Sequence, residues 1–142
     1  MTFFFEQSPE MPTELLNHPP LRLPVSKAGH QLFPVADLIY LEAQVNYSQL
    51  YWLDERTLVL ARPLKYHHAK LPQNWFIRIH RNYIVNRLFI KQLASDENGY
   101  WIHLVNGVSL PVARRRWREV CQLLIGDTTG RSRSIQASFY RS

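Results

Sequence analysis

The chain has 142 residues, 46% of them hydrophobic and 20% charged, the composition of an ordinary globular domain with enough length for one core and too little for two. No stretch reaches the apolar length that crosses a bilayer, no basic amphipathic helix offers a large apolar face to a membrane surface, and the single Cys121 excludes an internal disulfide and fits a reducing cytoplasm. The formal net charge of +6 is uneven: residues 1–20 carry −3, residues 21–125 carry +7 and residues 126–142 carry +2, so the basic excess predicts a binding surface on the folded middle more than a basic tail.

The first 20 residues contain Pro9, Pro12, Pro19 and Pro20 and read as an acidic, irregular arm or linker with a short turn at Glu14-Leu15-Leu16. The leading Phe3-Phe4-Phe5 lacks the basic and long apolar regions of a signal peptide and reads as a docking strand or a partner contact. Leu21 to Val25 predicts a strand, turned by Lys27-Ala28-Gly29-His30 into Gln31 to Pro34. Leu38-Ile39-Tyr40-Leu41-Glu42 predicts a compact apolar strand. Tyr47 to Leu53 and Thr57 to Ala61 flank the charged turn Asp54-Glu55-Arg56 and predict a hairpin. A short helix follows, with Pro63 in its first turn, Leu64, His68 and Leu71 on its core face, His67 towards solvent and Pro72 as its stop.

A strand through Phe76 to His80 comes next, then Leu88 to Leu93 and a polar turn at Ser95 to Gly99. Tyr100 to Val105 and Val108 to Val112 flank Asn106-Gly107, the signature of a type I′ hairpin. The last element is a helix whose apolar face repeats as Ala113, Trp117, Val120, Cys121 and Leu124. The predicted fold is mostly β: a small multi-sheet domain of short antiparallel strands with one short internal helix and a C-terminal helix. It spans residues 21–125 and is followed by a basic, flexible tail over residues 126–142.

The stretch from Trp75 to Asn86 carries the most chemistry. A period-two pleat places Trp75, Ile77 and Ile79 on one side and Phe76, Arg78 and His80 on the other, before Asn82 interrupts ahead of Tyr83-Ile84-Val85. A strand face carrying a cation and an imidazole must meet water or a polyanion. A second cluster, Arg114, Arg115, Arg116 and Arg118, falls near the start of the last helix. The helix dipole is positive there, and each cation costs a few tenths of a kcal/mol up to about 1 kcal/mol. A bound phosphate reverses that sign, taking hydrogen bonds from free backbone N–H groups and ion pairs from the arginines. An ordinary solvated basic face is the bland alternative.

In chain order, Ile39-Tyr40-Leu41-Glu42-Ala43 with Asn46-Tyr47-Ser48, Leu64-Lys65, Leu71-Pro72, the run from Phe76 to Asn86, and Leu110-Pro111-Val112-Ala113-Arg114-Arg115 resemble the LytTR-type DNA-binding domain of bacterial transcription regulators. The match runs over roughly Leu21 to Ile125, and its specificity lies in the order and spacing of its pieces. The resemblance implies small β-sheets with short helices, in which loops rather than a recognition helix enter successive major grooves. It places the contacts at Asn46-Tyr47-Ser48, at His80-Arg81-Asn82, and at Arg114 with Arg115. Arginine can pair bidentately with guanine, asparagine can read adenine, and serine can reach a base or a phosphate. Arg81 and Arg114 are therefore expected at bases or nearby phosphates, and Arg78, Arg115, Arg116 and Arg118 at the sugar-phosphate backbone.

Two positions depart from the family's usual serine, Asn82 and Ala113. Ala113 removes an N-cap hydroxyl, a loss typically near 1 kcal/mol, so base preference at this end is not carried over from the family. Relatives also commonly carry an N-terminal phosphoacceptor domain, and 20 residues are too few for one. The expected input is then a separate sensor or regulatory partner reached through the arm, or a homodimer on paired sites.

No cofactor, metal or enzymatic activity is expected. His67, His68, His80 and Cys121 lack the spacing of a zinc site, and Cys121 falls on an apolar helix face as an inert buried thiol. Glu42 reads as a structural acid orienting Arg78 or Arg81, with no second carboxylate for hydrolysis. The sequence therefore points to a cytoplasmic, sequence-specific, double-stranded DNA-binding transcription regulator with no membrane insertion. Two rivals stand beside it. Tyr51-Trp52, Trp75, Trp101 and Trp117 can form a stacking platform for single-stranded RNA or DNA, and Phe3-Phe4-Phe5 can act as the hook of a protein–protein adaptor with a basic surface.

Overall fold

In the computed structural model, which describes residues 2–6, 11–25, 27 and 29–126 and the backbone of 137–140, the short strands assemble into three antiparallel sheets. The strands are β1 (Thr2–Phe5), β2 (Leu21–Val25), β3 (Gly29–Phe33), β4 (Leu38–Ala43), β5 (Ser48–Trp52), β6 (Thr57–Leu60), β7 (Phe76–His80), β8 (Tyr83–Asn86), β9 (Ile90–Asp96), β10 (Gly99–Leu104), β11 (Ser109–Val112) and β12 (Ala137–Tyr140). Three helices, α1 (Thr13–Leu16), α2 (Leu64–His68) and α3 (Arg114–Leu124), and a 3-10 turn at Arg87–Phe89 complete the described elements. The sheets run β6-β5-β4-β8-β7, β11-β10-β9-β1-β12 and β2-β3.

The apolar run of β4 explains its central place: Leu38, Ile39, Tyr40 and Leu41 are all buried, so neither face of the strand meets solvent. Leu41, Leu50, Ile79, Ile84, Leu93 and Ile102 form the most buried part of the core. Each such side chain contributes about 1.5–3 kcal/mol by leaving water. The core continues under α3 through Val120 and Leu124, while Trp117 stacks on Tyr100 with ring centroids 4.4 Å apart.

Several local features differ from the sequence expectation. The pleat of β7 is broken: Arg78 pairs with Ile84 and His80 with Tyr83, leaving Ile79 as an extra, bulged residue. Phe76 and Ile77, in regular register before the bulge, are both buried, so both faces of the strand are covered there rather than one being solvated. The turn around Asn106-Gly107 is not type I′, since Asn106 lacks the positive φ that type requires. Gly107 N donates to Leu104 O, Leu104 N donates to Val108 O, and Gly107 alone is left-handed at φ 91°. This is the three-residue hairpin ending in a bulge, and Asn106 supports it by accepting from Val108 N through its side chain.

On α2 the two histidines exchange their expected places. His67 is buried, while half-buried His68 donates from Nε2 to Phe76 O at 3.0 Å. The predicted strand at Leu88 begins later because buried Asn86 accepts from Leu88 N and donates to Leu38 O, turning the chain through the 3-10 segment before β9 starts at Ile90.

Within the expected arm, Phe3 and Phe5 are buried where β1 pairs with β9, so they are docked on the chain's own sheet and are not a free adaptor hook. Leu15 of α1 is also buried, and Glu14 accepts from Trp75 Nε1 at 2.9 Å. Residues 7–10 of the arm lie outside the described residues, as does most of the expected tail, apart from Gly126 and the backbone of β12.

Candidate nucleic-acid interface

Three segments far apart in sequence meet at one end of the β6-β5-β4-β8-β7 sheet. The turn after β4 is closed by Gln44 N donating to Tyr47 O at 2.8 Å and Tyr47 N donating to Gln44 O at 3.4 Å. This leaves Asn46 and Tyr47 exposed and Val45, at 97% exposure, as the tip. The turn between β7 and β8 presents Arg81 and Asn82. Asn82 O accepts from Ala43 N at 2.8 Å, which fastens the second turn to the first. The third segment is the start of α3, which Ala113 N ties to the bulged Ile79 through a bond to its carbonyl at 2.9 Å. The bulge in β7 thus frees the carbonyl that docks the arginine-rich helix.

A groove of about 790 Å³ opens between these turns and the chain leading into α2. Asn46, Tyr47, Arg78, Arg81 and Asn82 line it, joined by Arg62 and Lys65. Burial lowers the His80 pKa below its ordinary value, and Arg81, Arg116 and Arg78 lower it further. The Arg78 pKa is lowered by burial and then by Arg116. A guanidinium from α3 therefore acts electrostatically on the β7–β8 turn, and the two basic clusters form one field. His80 stays neutral, and its Nδ1 accepts from Asn82 N at 3.1 Å, which leaves the ring proton on Nε2.

Arg81, Arg114, Arg115, Arg116 and Arg118 form no ion pair with a carboxylate among the described residues. Arg114, Arg115 and Arg118 are exposed. Ala113 is the N-cap of α3 and gives no side-chain cap, so the arginines share the first turn with backbone N–H groups that no cap side chain satisfies.

Some candidates take other roles. Ser48 is fully buried and donates from Oγ to Arg62 O, so it cannot reach DNA directly as expected. The cause is the pleat of β5, which turns Ser48 and Leu50 inward on alternate positions. Arg78 is half-buried and spends its guanidinium on the carbonyls of His80 and Arg81, so it shapes the turn it was expected to flank. Glu42 does not orient either arginine; its two carboxylate oxygens accept from Tyr51 Oη at 2.9 Å and Tyr83 Oη at 3.1 Å. Val45, Arg62 and Lys65 were missed. Lys65 carried a signal in the Leu64-Lys65 pair, but Arg62 reaches the groove only because β6 pairs with β5 and returns the chain beside Tyr47.

The rival stacking platform finds no continuous aromatic surface among the described residues. Trp52 is buried and donates to Pro34 O, Trp75 is held by Glu14, Trp117 lies on Tyr100, and Tyr51 stacks on Tyr40. Cys121 has its thiol pKa raised by burial, which makes it a poor nucleophile.

A family model of the LytTr DNA-binding domain matches residues 29–125. The transcriptional regulatory protein LytR of Staphylococcus aureus strain N315 is 42% identical over 53 residues, covering 37% of this chain and 22% of LytR. The LytR of strain COL gives the same figures. The similarity thus spans about a fifth of the length of those curated relatives. Among solved structures, a LytTr DNA-binding domain from Bacillus cereus superposes with a TM-score of 0.66 at 27% identity, covering 75% of this chain and 97% of that one.

Proposed function

Because the chain belongs to the LytTR DNA-binding domain family, we propose that it regulates transcription by reading duplex DNA in the major groove with its three clustered segments. The observation that carries this is the convergence of Asn46, Tyr47, Arg81 and Asn82 on one groove, with Arg116 electrostatically joined to it and no carboxylate neutralising the exposed arginines. Asn46, Tyr47, Arg81 and Asn82 face bases, Arg114 enters beside them, and Arg115, Arg116, Arg118 and Lys65 hold phosphates. Arg78 and His80 act through the shape of the β7–β8 turn, and Ser48 acts by fixing the backbone at Arg62. Two copies on one face of the duplex require sites separated by whole helical turns.

In vitro selection of bound duplexes from a random pool tests the reading, with competition by single strands of equal length. A defined motif competed far better by duplex than by single strand supports groove reading; the reverse favours stacking on single strands. Arg114→Ala is expected to cost roughly 1–3 kcal/mol and relax preference at one base position. Arg118→Ala is expected to weaken all duplexes alike and lower the salt slope by about one unit. Wild-type binding by both variants would refute the assignment.

A further inference from the structure

A second cavity, of about 680 Å³, lies between β2, the segment leading into it, and α2. Pro19, Pro20 and Leu23 supply an apolar wall, and Arg22, Arg62 and Lys70 supply three cations. None of its lining residues is acidic. Arg62 and Lys70 lie over the Tyr66 ring at 4.5 Å and 4.6 Å from its centroid, so one aromatic ring holds both charges. Beside them His67, also on the lining, is 3% exposed, and its buried Nε2 has no hydrogen-bond partner. A buried ring nitrogen without a partner is costly, and cations without counter-charges around an apolar cavity repel one another.

One ligand chemistry answers all three features. We propose that this cavity binds a small organic carboxylate with an apolar body, its carboxylate set among Lys70, Arg62 and His67 and its body against Pro19, Pro20 and Leu23. A neutral His67 can give an N–H to the carboxylate, and the prolines offer a rigid apolar surface that loses little entropy on binding. The apolar wall formed by residues 19–23 precedes the family match, which begins at residue 29, whereas Arg62, His67 and Lys70 lie within it, so the cavity is built where this chain's preceding segment packs on the shared domain. Ala61 and Arg62 line both this cavity and the groove described above, which places a bound carboxylate one residue from the DNA-facing surface.

The test is a heteronuclear NMR titration of the full chain with sodium benzoate at constant ionic strength and without DNA, so the outcome is independent of duplex recognition. Saturable binding is expected, with shifts at residues 19–24 and 60–70 and at the His67 ring nitrogens. Acetate, which has the charge without the ring, and benzyl alcohol, which has the ring without the charge, are each expected to bind several-fold more weakly. Lys70→Gln should weaken benzoate by about three- to fivefold, the size of one partly exposed ion pair, while Lys91→Gln on β9 should leave it unchanged. Shifts that do not saturate, shifts centred on the arginines of α3, acetate binding as tightly as benzoate, or equal binding by Lys70→Gln and wild type would each overturn the proposal.

Discussion

Replacing Ser48 by alanine separates two roles for the first contact turn. Ser48 is 0% exposed, and its hydroxyl donates to the carbonyl of Arg62, fourteen residues away on the far side of β6. Alanine removes one oxygen and leaves almost no cavity, so the cost is that of a buried carbonyl stripped of its donor, about 1–3 kcal/mol. For a chain of this length each kcal/mol lowers the melting temperature by roughly 2–4 °C, which predicts a fall of about 2–12 °C. The lost bond also frees the backbone that carries Arg62 into the groove, so DNA affinity should fall for all sequences together, with no change in base preference. Thermal unfolding followed by circular dichroism, alongside binding to a panel of single-base variants, measures both effects. Asn46→Ala is the control: exposed in the same turn, it should leave the melting temperature unchanged and alter base preference. A Ser48→Ala protein that melts like wild type while losing discrimination at one base would refute the structural role and restore Ser48 as a direct contact.

The remaining predictions concern pH and helix capping. The His67 pKa is lowered to about 4, first by burial and then by Lys70 and Arg62. Its stabilising effect is therefore complete above its unfolded value near 6.5 and is lost as pH falls towards 4. The shift caps that effect at roughly 3 kcal/mol, and screening through the neighbouring cavity brings it nearer 1–2 kcal/mol; urea unfolding from pH 7 to pH 4 should show this loss in wild type and not in His67→Gln. Tyr51 and Tyr83 are raised above the ordinary phenol value by burial and by Glu42, so the stability they supply is complete below pH 10 and declines above it. Glu42→Gln should shift their phenolate absorbance to lower pH, and an unchanged titration would show that Glu42 is not their acceptor. Ala113→Ser should add about 1 kcal/mol, since Ala113 already has extended N-cap geometry at φ −63° and ψ 138°; an unchanged melting temperature would mean that the first N–H groups of α3 already have partners.

The order of strands and helices was legible because each carries its own period. The apolar run of β4, the alternation along β10 and the three- and four-residue spacing of Val120 and Leu124 are local signals that tertiary packing then exploits. The failures share one cause. Leu53-Asp54-Glu55 and Val105-Asn106-Gly107 form the same three-residue hairpin, with Trp52 N bonded to Arg56 O and Leu104 N to Val108 O. Yet Glu55 occupies the left-handed place that Gly107 takes in the other, at φ 71°. Both read as turns in sequence, but only the second carries a turn-type signature, and its Asn-Gly pair named the wrong type. A glutamate holds that conformation because the strands on either side impose the register and Asp54 accepts from Arg56 N and Nε. Turn chemistry was overruled by sheet pairing.

The same asymmetry governs the candidate interface. Arg81, Asn82 and Arg114 stood out because each ends a strand or begins a helix, where side chains project from the fold. What no local pattern could supply is the bulge at Ile79. That one extra residue falls just after Arg78, whose guanidinium closes the Arg81 turn, and the carbonyl of the bulged Ile79 accepts from Ala113 N. The bond from Ala113 N to that carbonyl fixes the start of α3 beside the β7–β8 turn, where Arg116 is among the charges that lower the His80 pKa. The four arginines of α3 are unfavourable where a helix dipole is positive, and the fold adds to their cost by bringing Arg78 and Arg81 alongside. Among the described residues these arginines form no ion pair, although Glu119 follows Arg118 on the same helix, and like charges held together at a cost in stability are what a bound polyanion would relieve.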